Sequence, residues 1–583
     1  MDRTDLERRF FFLSGKLISE LNDEGFWTGE LSSSALSTAV ATVTLKLGNP
    51  GSFHDRIVGG IAWLISHVNE DGGFGDTPGS VSNVSTTLLC YAALRYYAAD
   101  NHPAQQSRSS EKSPGLQSAR NPDPAPILDG MACYLRTQGV EIGSATVVDS
   151  ILGYYGKDYT FSVPILSMLA ICQVLDQSSV DQIPRLPFEL VMLPSRLYRF
   201  FNLHVVSYAI PALIAMGIFV FKQGGGANPV VNFIRKRSIG PALRKLQLLM
   251  PQSGGFLEAI PLTAFVSMCL IRSGFSRHQV VAQGIGFLQN TQRPDGSWPI
   301  DTDLSTWVTT LGVKAMGNHL GRILTNEQTE RLRSHLLAHQ YRQVHPFNQA
   351  SPGGWGWTSS PGSVPDADDT AGAILALMTA DRENEEVEAA VLRGCRWLAG
   401  LQNRDGGIPT FCRGWGLLPF DRSCADLTGH ALLAWIKAIE QYGQGMQASD
   451  GRNASGPVRG NLKRYRRNLQ QLNKHVKGAL RFLAKEQLPD GSWLPLWFGS
   501  QLTADKTNPV YGTARVMVYL QDALDSENQD PAIRKLIEPM TAAAGQYLAG
   551  IQNRDGSWGS GKEIPGSMEE TALSVCALIA SEP

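Results

Sequence analysis

Three carboxylates stand close together in the segment VPDADDTAGAILAL, from Val364 to Leu377. Asp366, Asp368 and Asp369 precede an apolar, helix-like run. A buried carboxyl group beside like charges keeps its proton at neutral pH, because desolvation and repulsion both disfavour the anion. The segment therefore predicts a carboxylic acid that can donate a proton. The alternative is a solvated helix start, where aspartates serve as caps and interact with the helix dipole.

A second candidate pair lies in the segment ADLTGHALLAWIKAI, which has the pattern of a helix. Asp426 and His430 are four residues apart, so a helix would place them on one face. We expect Asp426 to orient the imidazole while His430 hydrogen-bonds the acid. A histidine on an apolar helix face is otherwise commonly a satisfied core residue.

Repeated sequence segments indicate which elements position these residues. An apolar helix end, a turn with Asp-Gly and a bulky residue recur in FLQNTQRPDGSW, WLAGLQNRDGGI, FLAKEQLPDGSW and YLAGIQNRDGSW, and more weakly in WLISHVNEDGGF. The glutamine can bond backbone carbonyls at the helix end, and the glycine allows a positive φ. Few strand signals lie between the copies. The sequence therefore predicts an all-α protein of repeated helix pairs, arranged as a double ring.

The composition limits the possible functions. The 583 residues carry a formal net charge of −1, which gives no sign of nucleic-acid binding. The eight cysteines form no regular framework, so we expect reduced thiols in a cytosolic setting. The first residues, MDRTDLERRFFFLSGKLI, lack the pattern of a signal peptide.

One apolar stretch, LHVVSYAIPALIAMGIFVF at 203–221, is about as long as a bilayer span and has basic residues on both sides. Arg196 and Arg199 precede it, and Arg235, Lys236 and Arg237 follow. It predicts either a buried core helix or a patch that dips into one leaflet, with cations near the headgroups.

The repeats and the D-x-D-D-T-A motif together resemble the squalene–hopene cyclase family of class II terpene cyclases. ADLTGH and NPVYGTARV resemble further family segments, and the likeness covers most of the chain. It implies two α/α barrels around a central apolar cavity, no cofactor, and a monotopic protein on the inner face of the membrane. A homodimer would fit the family.

By the same resemblance, the chain converts squalene or a related linear isoprenoid into a polycyclic triterpene such as a hopanoid, by protonation and carbocation cyclisation. Asp368 would donate the proton, tuned by Asp366 and Asp369 and supported by His430 and Asp426. Aromatic faces can stabilise carbocations without quenching them. The candidate aromatic residues are Trp307, Trp357, Phe411, Trp497 and Tyr511, each of which could equally be a core residue.

The predicted domain bounds follow the repeats and the resemblance. Residues 1–22 form an N-terminal segment that packs on the C-terminal barrel. Residues 23–285 form a barrel with a flexible insert at 100–126 and a membrane-contacting patch at about 196–245. Residues 286–583 form the catalytic barrel, interrupted by a polar insert at 446–471.

The chain departs from the family pattern in three ways. Phe411 stands where the family tends to have tyrosine, and the WLPLWFGSQLTADKTNPVYGT segment is longer than usual. The sequence also ends soon after its last repeat, at SMEETALSVCALIASEP. We therefore expect fewer rings than a pentacycle, or a shorter or different polyprene.

Other functions remain open. A class II diterpene cyclase would act on a prenyl diphosphate such as geranylgeranyl diphosphate, with Mg²⁺ and a cationic pocket. The candidate cations for that pocket are Arg235, Lys236, Arg237, Arg244 and Lys245. A non-catalytic lipid-binding module and a prenyltransferase subunit are further alternatives, but the intact acid motif disfavours the first. No zinc-binding set for the second can be placed in the sequence.

Overall fold

A computed structural model describes most of the chain. The described residues are 3–100, 122–156, 158–193, 205–224, 228–416, 418–443, 457–525 and 530–579. Most of the predicted insert at 100–126 lies outside these ranges, as do the first residues of the insert at 446–471.

The regular secondary structure of the described residues is almost entirely helical, which confirms the predicted fold class. The helices are α1 (Arg3–Ser19), α2 (Ala35–Gly48), α3 (His54–Ser66), α4 (Val84–Asp100), α5 (Ala125–Thr137), α6 (Thr146–Tyr155), α7 (Tyr159–Ile171), α8 (Gln177–Val180), α9 (Val205–Gln223), α10 (Pro229–Leu249), α11 (Ile260–Arg272), α12 (Gln279–Asn290), α13 (Ser305–Met316), α14 (Leu320–Ile323), α15 (Asn326–Ala338), α16 (Ala367–Asp381), α17 (Glu385–Leu401), α18 (Ala425–Gly443), α19 (Pro457–Glu486), α20 (Pro509–Leu524), α21 (Pro531–Gly550) and α22 (Met568–Ile579). Short 3₁₀ helices lie at Phe188–Met192, Phe256–Glu258 and Gly317–His319. Two short antiparallel strands, β1 (Ser33–Ser34) and β2 (Trp298–Pro299), pair with each other.

The first barrel is a closed inner ring of helices. Helix α2 contacts α4, α4 contacts α7, α7 contacts α9, α9 contacts α11, and α11 returns to α2. Helices α3, α5, α6, α10 and α12 pack outside this ring. Because the inner helices contact neighbours on several sides, they are buried on most of their surface, as α2 and α7 show.

The second barrel repeats this arrangement. Its inner helices follow one another as α13, α16, α18, α20 and α22, each in contact with the next. Helices α15, α17, α19 and α21 lie outside them. A second buried core fills this barrel, separate from the core of the first. The helix bearing the three aspartates, α16, therefore belongs to an inner ring.

The predicted repeat turns are hydrogen-bonded at their helix ends. Gln292, Gln402 and Gln487 each donate to the carbonyl of the glycine four residues later, at 2.8–2.9 Å. Each also donates to a carbonyl of another segment: Arg56, His475 and Met540, respectively. Gln552 is exposed and bonds within its own turn. The first three glutamines thus tie consecutive helix pairs together.

The structure shows three copies of this turn that the sequence pattern missed. In the described part of the chain, eight bulky residues follow a positive-φ glycine by two positions and donate their backbone N–H to a threonine hydroxyl. They are Trp27, Phe74, Phe256, Trp298, Trp355, Ile408, Trp493 and Trp558. The copies at Trp27, Phe256 and Trp355 lack the Asp-Gly pair. A search for a glycine two positions before a bulky residue would have found them.

The N-terminal segment contacts the second barrel. The indole N–H of Trp27 donates to the Leu17 carbonyl at 2.6 Å, and the Trp27 amide donates to Thr309. Helix α1 also contacts α14. This packing agrees with the predicted role of residues 1–22, while the domain bounds themselves stay a prediction.

The described side chains of the apolar stretch at 203–221 belong to a buried core helix. Its described part belongs to α9, an inner-ring helix, where Ile214, Met216 and Phe219 are buried. Its apolar side chains face neighbouring helices, so the core-helix alternative is correct. No described helix is long and apolar enough to cross a membrane. Leu203, Arg196 and Arg199 lie outside the described residues.

Candidate active site

The three clustered aspartates lie at the N-terminus of α16. Asp366 is the residue that caps the helix, and its Oδ1 accepts the backbone N–H of Asp369 at 2.9 Å. Its own backbone N–H donates to the Trp355 carbonyl at 2.9 Å, so a repeat turn fixes the helix start. The capping role, considered above as an alternative, is therefore real for Asp366. It leaves Asp368 free to point elsewhere.

Asp368 is the aspartate that meets the other barrel helices. Its Oδ1 lies 2.6 Å from Nδ1 of His430 on α18. Its Oδ2 accepts the indole N–H of Trp307 on α13 at 3.0 Å. A guanidinium nitrogen of Arg515 on α20 lies 3.7 Å from Oδ1. Four consecutive inner helices thus converge on this one carboxyl group.

The three aspartates differ in their pKa values because their surroundings differ. Burial raises the pKa of Asp366 to about 7. Burial, together with the neighbouring Asp366 and Asp368, raises the pKa of Asp369 well above its ordinary value. Burial also acts to raise the pKa of Asp368, but His430, Arg515 and the Trp307 indole outweigh it, so this pKa lies below its ordinary value.

This result corrects the predicted reason for the acidity of Asp368. Asp368 is not the carboxyl group whose neutral form burial favours; the raised pKa values belong to Asp366 and Asp369. The physical reason is the direction of the side chain, because Asp368 points at three cationic or proton-bearing groups, His430, Trp307 and Arg515, that the clustered spacing does not reveal. Hydrogen bonds and a nearby cation stabilise the carboxylate form of Asp368.

The expected contact between Asp426 and His430 is also wrong. The Asp426 carboxylate accepts the thiol of Cys424, and no hydrogen bond joins it to His430 among the described residues. His430 is held differently, with its ring stacked on Tyr519 at 4.6 Å between centroids and 9° between planes. The helical spacing is right, but Cys424, two residues before Asp426, takes the carboxylate.

Two functional candidates on α20 were missed by sequence reasoning. Tyr511, Arg515 and Tyr519 are spaced four residues apart, so they form one helix face that lies against the acid. Of these, only Tyr511 was a candidate. The i, i+4, i+8 spacing of aromatic, cation and aromatic was the available signal.

The predicted aromatic residues separate into two groups. Trp357 and Phe411 lie edge to face at 6.1 Å, and Phe411 is 5.1 Å from Tyr208 and 5.7 Å from Phe420. Tyr208 and Phe420 were not predicted. Trp357 also accepts, through its carbonyl, the backbone N–H of Trp307. An aromatic cluster therefore begins at Trp357, which is joined through the backbone to Trp307, the residue whose indole contacts Asp368.

The other predicted aromatic residues have different roles. Trp497 is partly exposed and lies 5.8 Å from Phe420; its indole donates to Thr410, whose carbonyl accepts the backbone N–H of Ala367. Tyr511 is buried, stacks on Phe498 at 4.5 Å, and lies beside Arg515. The Trp307 indole differs from these rings because it donates a hydrogen bond to Asp368.

No group of three or more histidine, cysteine, aspartate or glutamate side chains suited to hold a metal ion occurs among the described residues. Of the cations considered for a diphosphate pocket, Arg235 is nearly buried and paired with Glu189 at 3.1 Å.

Helical barrels with a buried D-x-D-D acid at an inner helix start define a class II terpene cyclase. The chain belongs to the squalene–hopene cyclase family. The squalene-hopene cyclase N-terminal domain model matches residues 13–110, and the C-terminal domain model matches residues 304–577. Together these matches cover well over half of the chain.

Several relatives give the extent of the similarity. A squalene–hopene cyclase of Bradyrhizobium diazoefficiens is 29% identical over 250 residues, which are 40% of this chain and 32% of that protein. A squalene–hopene cyclase of Alicyclobacillus acidocaldarius is 23% identical over 541 residues, covering 87% of this chain and 77% of that protein. The chain spans only 21–38% of the length of four other curated relatives that it matches.

The fold resembles a solved structure along its whole length. The ent-copalyl diphosphate synthase from Streptomyces platensis superposes with a TM-score of 0.54 at 17% identity, covering 99% of this chain and 89% of that one. This similarity supports the double-barrel fold.

Proposed function

We propose that this protein is a protonation-initiated cyclase of squalene or a related linear isoprenoid, and that it forms a polycyclic triterpene. The observation that carries the proposal is the convergence of His430, Trp307 and Arg515 on Asp368. These groups stabilise a carboxylate, so they make the protonated form of Asp368 an unusually strong acid. An isolated alkene needs such an acid, because its π electrons are only weakly basic.

In the first step, the O–H bond of protonated Asp368 breaks and the proton goes to the terminal alkene. The alkene π electrons form the new C–H bond and leave a carbocation at the neighbouring carbon. The next alkene attacks this cation, so ring closure moves positive charge along the chain. Asp368 is left as a carboxylate held by His430 and Trp307.

The aromatic cluster that begins at Trp357 is suited to the later steps. The rings of Trp357, Phe411, Phe420 and Tyr208 form a chain of neighbours, 5.6–6.1 Å apart between centroids. Cation–π attraction of this kind contributes about 0.5–2 kcal/mol per ring in a desolvated site. The rings stabilise a carbocation and carry no strong base that would quench it.

A class II diterpene cyclase acting on a prenyl diphosphate is the second candidate, because it shares the acid motif and requires Mg²⁺. The buried pair of Arg235 with Glu189 counts against the pocket considered for it. The test is a product assay on detergent-solubilised protein with squalene, oxidosqualene and geranylgeranyl diphosphate, each with Mg²⁺ or with a chelator. A cyclic triterpene formed in the presence of chelator supports the proposal; a bicyclic diphosphate that needs Mg²⁺ supports the alternative.

We also propose peripheral binding to the inner face of a membrane, through a surface that overlaps the predicted patch at about 196–245 but does not use the apolar stretch at 203–221. Exposed apolar side chains gather around the first 3₁₀ helix and the start of α10. They are Leu190, Met192, Leu193, Val230, Val231, Phe233 and Ile234. Lys236 and Arg237 follow, and the Arg237 guanidinium lies 5.1 Å from the Phe233 ring. Apolar side chains bordered by cations suit an anionic lipid surface.

Replacing Phe233 with aspartate tests this surface. Phe233 is 61% exposed, so Phe233→Asp leaves the fold intact. Burying a phenylalanine contributes about 1.5–3 kcal/mol, so we expect vesicle binding about tenfold weaker or more. The measurement is co-sedimentation with vesicles containing anionic lipid. Leu536→Asp, at an exposed apolar position on α21, is the matched control. Equal binding by both variants would contradict the assignment.

The predicted homodimer stays a prediction.

A further inference from the structure

Arg515 is a buried cation close to Asp368, the candidate proton donor. It is 7% exposed, and its Nε has no hydrogen-bond partner among the described residues. Its guanidinium lies 5.9 Å from the Tyr511 ring and 5.2 Å from the Tyr519 ring. The two tyrosines are one helical turn before and after it, so they fix the guanidinium on the face of α20 that meets α16 and α18.

The charge of Arg515 needs a nearby anion, because an arginine does not lose its proton in a protein. Among the surrounding carboxyl groups, Asp366 and Asp369 have raised pKa values that favour their neutral forms. Burial likewise raises the pKa of Asp426, which is bonded to the Cys424 thiol. The Oδ1 atom of Asp368 lies 3.7 Å from a guanidinium nitrogen of Arg515, and Asp368 is the carboxyl group whose anionic form the site favours.

When the protonated form of Asp368 donates its proton, the product of that step is again the carboxylate. A fixed cation at this distance stabilises that anion more than it stabilises the neutral acid. Interactions that grow as the reaction proceeds lower the barrier, whereas interactions present throughout do not. The cation is also already in place, so no rearrangement is needed when the charge develops.

We propose that Arg515 is a positioning residue, held between Tyr511 and Tyr519, that sets the acid strength of Asp368 by stabilising its carboxylate after proton transfer. The inference rests on the proposed function for its effect on catalysis. It deepens that function by assigning the strength of the initiating acid to a cation on a third helix, in addition to the histidine. Arg515 does not contact the reacting alkene in this account.

The pH dependence follows from the sign of the charge. Asp368 donates only when protonated, so activity rises as the pH falls towards its lowered pKa. Removing the Arg515 charge raises that pKa, which moves the activity midpoint to higher pH and weakens the acid. The other titratable or charged groups around this pair are Lys314, Asp366, Asp369, Asp426, His430, Tyr511, Tyr519 and Glu569.

The test compares Arg515→Gln and Arg515→Lys with the wild type. A neighbouring opposite charge lowers a carboxyl pKa by about 1–3 units. We therefore expect Arg515→Gln to move the pH midpoint up by about one unit and to lower the limiting rate at acid pH about tenfold. Arg515→Lys restores part of both effects. Arg534→Gln, at an exposed arginine on α21, leaves both unchanged.

A second measurement separates failure of this inference from failure of the proposed function. Carbon-13 NMR titration of protein labelled at the aspartate carboxyl carbons follows Asp368 without any substrate, and Asp368→Asn identifies its signal. A raised Asp368 pKa in Arg515→Gln supports the inference even if no substrate is turned over. An unchanged Asp368 pKa in folded Arg515→Gln overturns it, as does a rate lowered equally at every pH.

Discussion

Asp368→Asn is expected to lower the rate of cyclisation by at least about 1000-fold, because it removes the proton donor. The amide has nearly the same shape, and its oxygen can still accept the Trp307 indole N–H. No other carboxyl group among the described residues has the same set of partners: Asp366 caps α16 and Asp369 is buried beside it. The measurement is the initial rate of cyclic product formation, followed by gas chromatography–mass spectrometry.

Asp129→Asn is the matched control for this loss of charge. Asp129 lies exposed on α5 in the first barrel, so its variant should keep the wild-type rate within about twofold. Thermal unfolding of both variants checks that the fold is intact. Substantial turnover by folded Asp368→Asn would show that another group donates the proton.

Trp493→Ala has the largest expected effect on stability. The Trp493 side chain is fully buried, and its indole N–H donates to the Leu483 carbonyl at 2.9 Å. Replacing a buried tryptophan with alanine costs about 3–5 kcal/mol, because a cavity forms and transfer free energy is lost. The Leu483 carbonyl also loses its partner. We expect a lower urea midpoint for unfolding of the second barrel, measured by circular dichroism.

Trp415→Ala is the control for loss of a tryptophan. The Trp415 side chain is 62% exposed, so its removal should change the free energy of unfolding by less than about 0.5 kcal/mol. Similar midpoints for Trp493→Ala and Trp415→Ala would contradict the structural role given to the repeat turns.

Much of the fold was predictable, because the repeats carry a local signal. The glutamine, the positive-φ glycine and the bulky residue are set by the geometry of one turn, so they recur in the sequence. The turns at Trp27, Phe256 and Trp355 escaped because another residue replaces the aspartate. In the copy at Trp355, Gln340 still donates to the Gly353 carbonyl, but nine more residues separate the two than in the other copies. Only the folded chain shows that these residues form one turn.

Most residues of the site were predictable from the sequence, whereas the contacts between them were less so. Clustered aspartates indicated a candidate acid, but spacing along one helix does not tell which carboxyl meets other helices. Arg515 lies 147 positions after Asp368 and approaches it through the packing of α16, α18 and α20. Likewise, hydrophobicity alone could not separate the buried helix α9 from the exposed apolar start of α10.

The most direct test of the central claim, cyclisation started by proton transfer from the protein, is turnover of squalene in deuterium oxide. Asp368 exchanges its proton with solvent between turnovers, so each cyclic product molecule should carry one deuterium bound to carbon. Mass spectrometry measures this label, with Asp368→Asn giving neither product nor label. A cyclic product without carbon-bound deuterium would contradict the account, because its cyclisation would not begin with a solvent-derived proton.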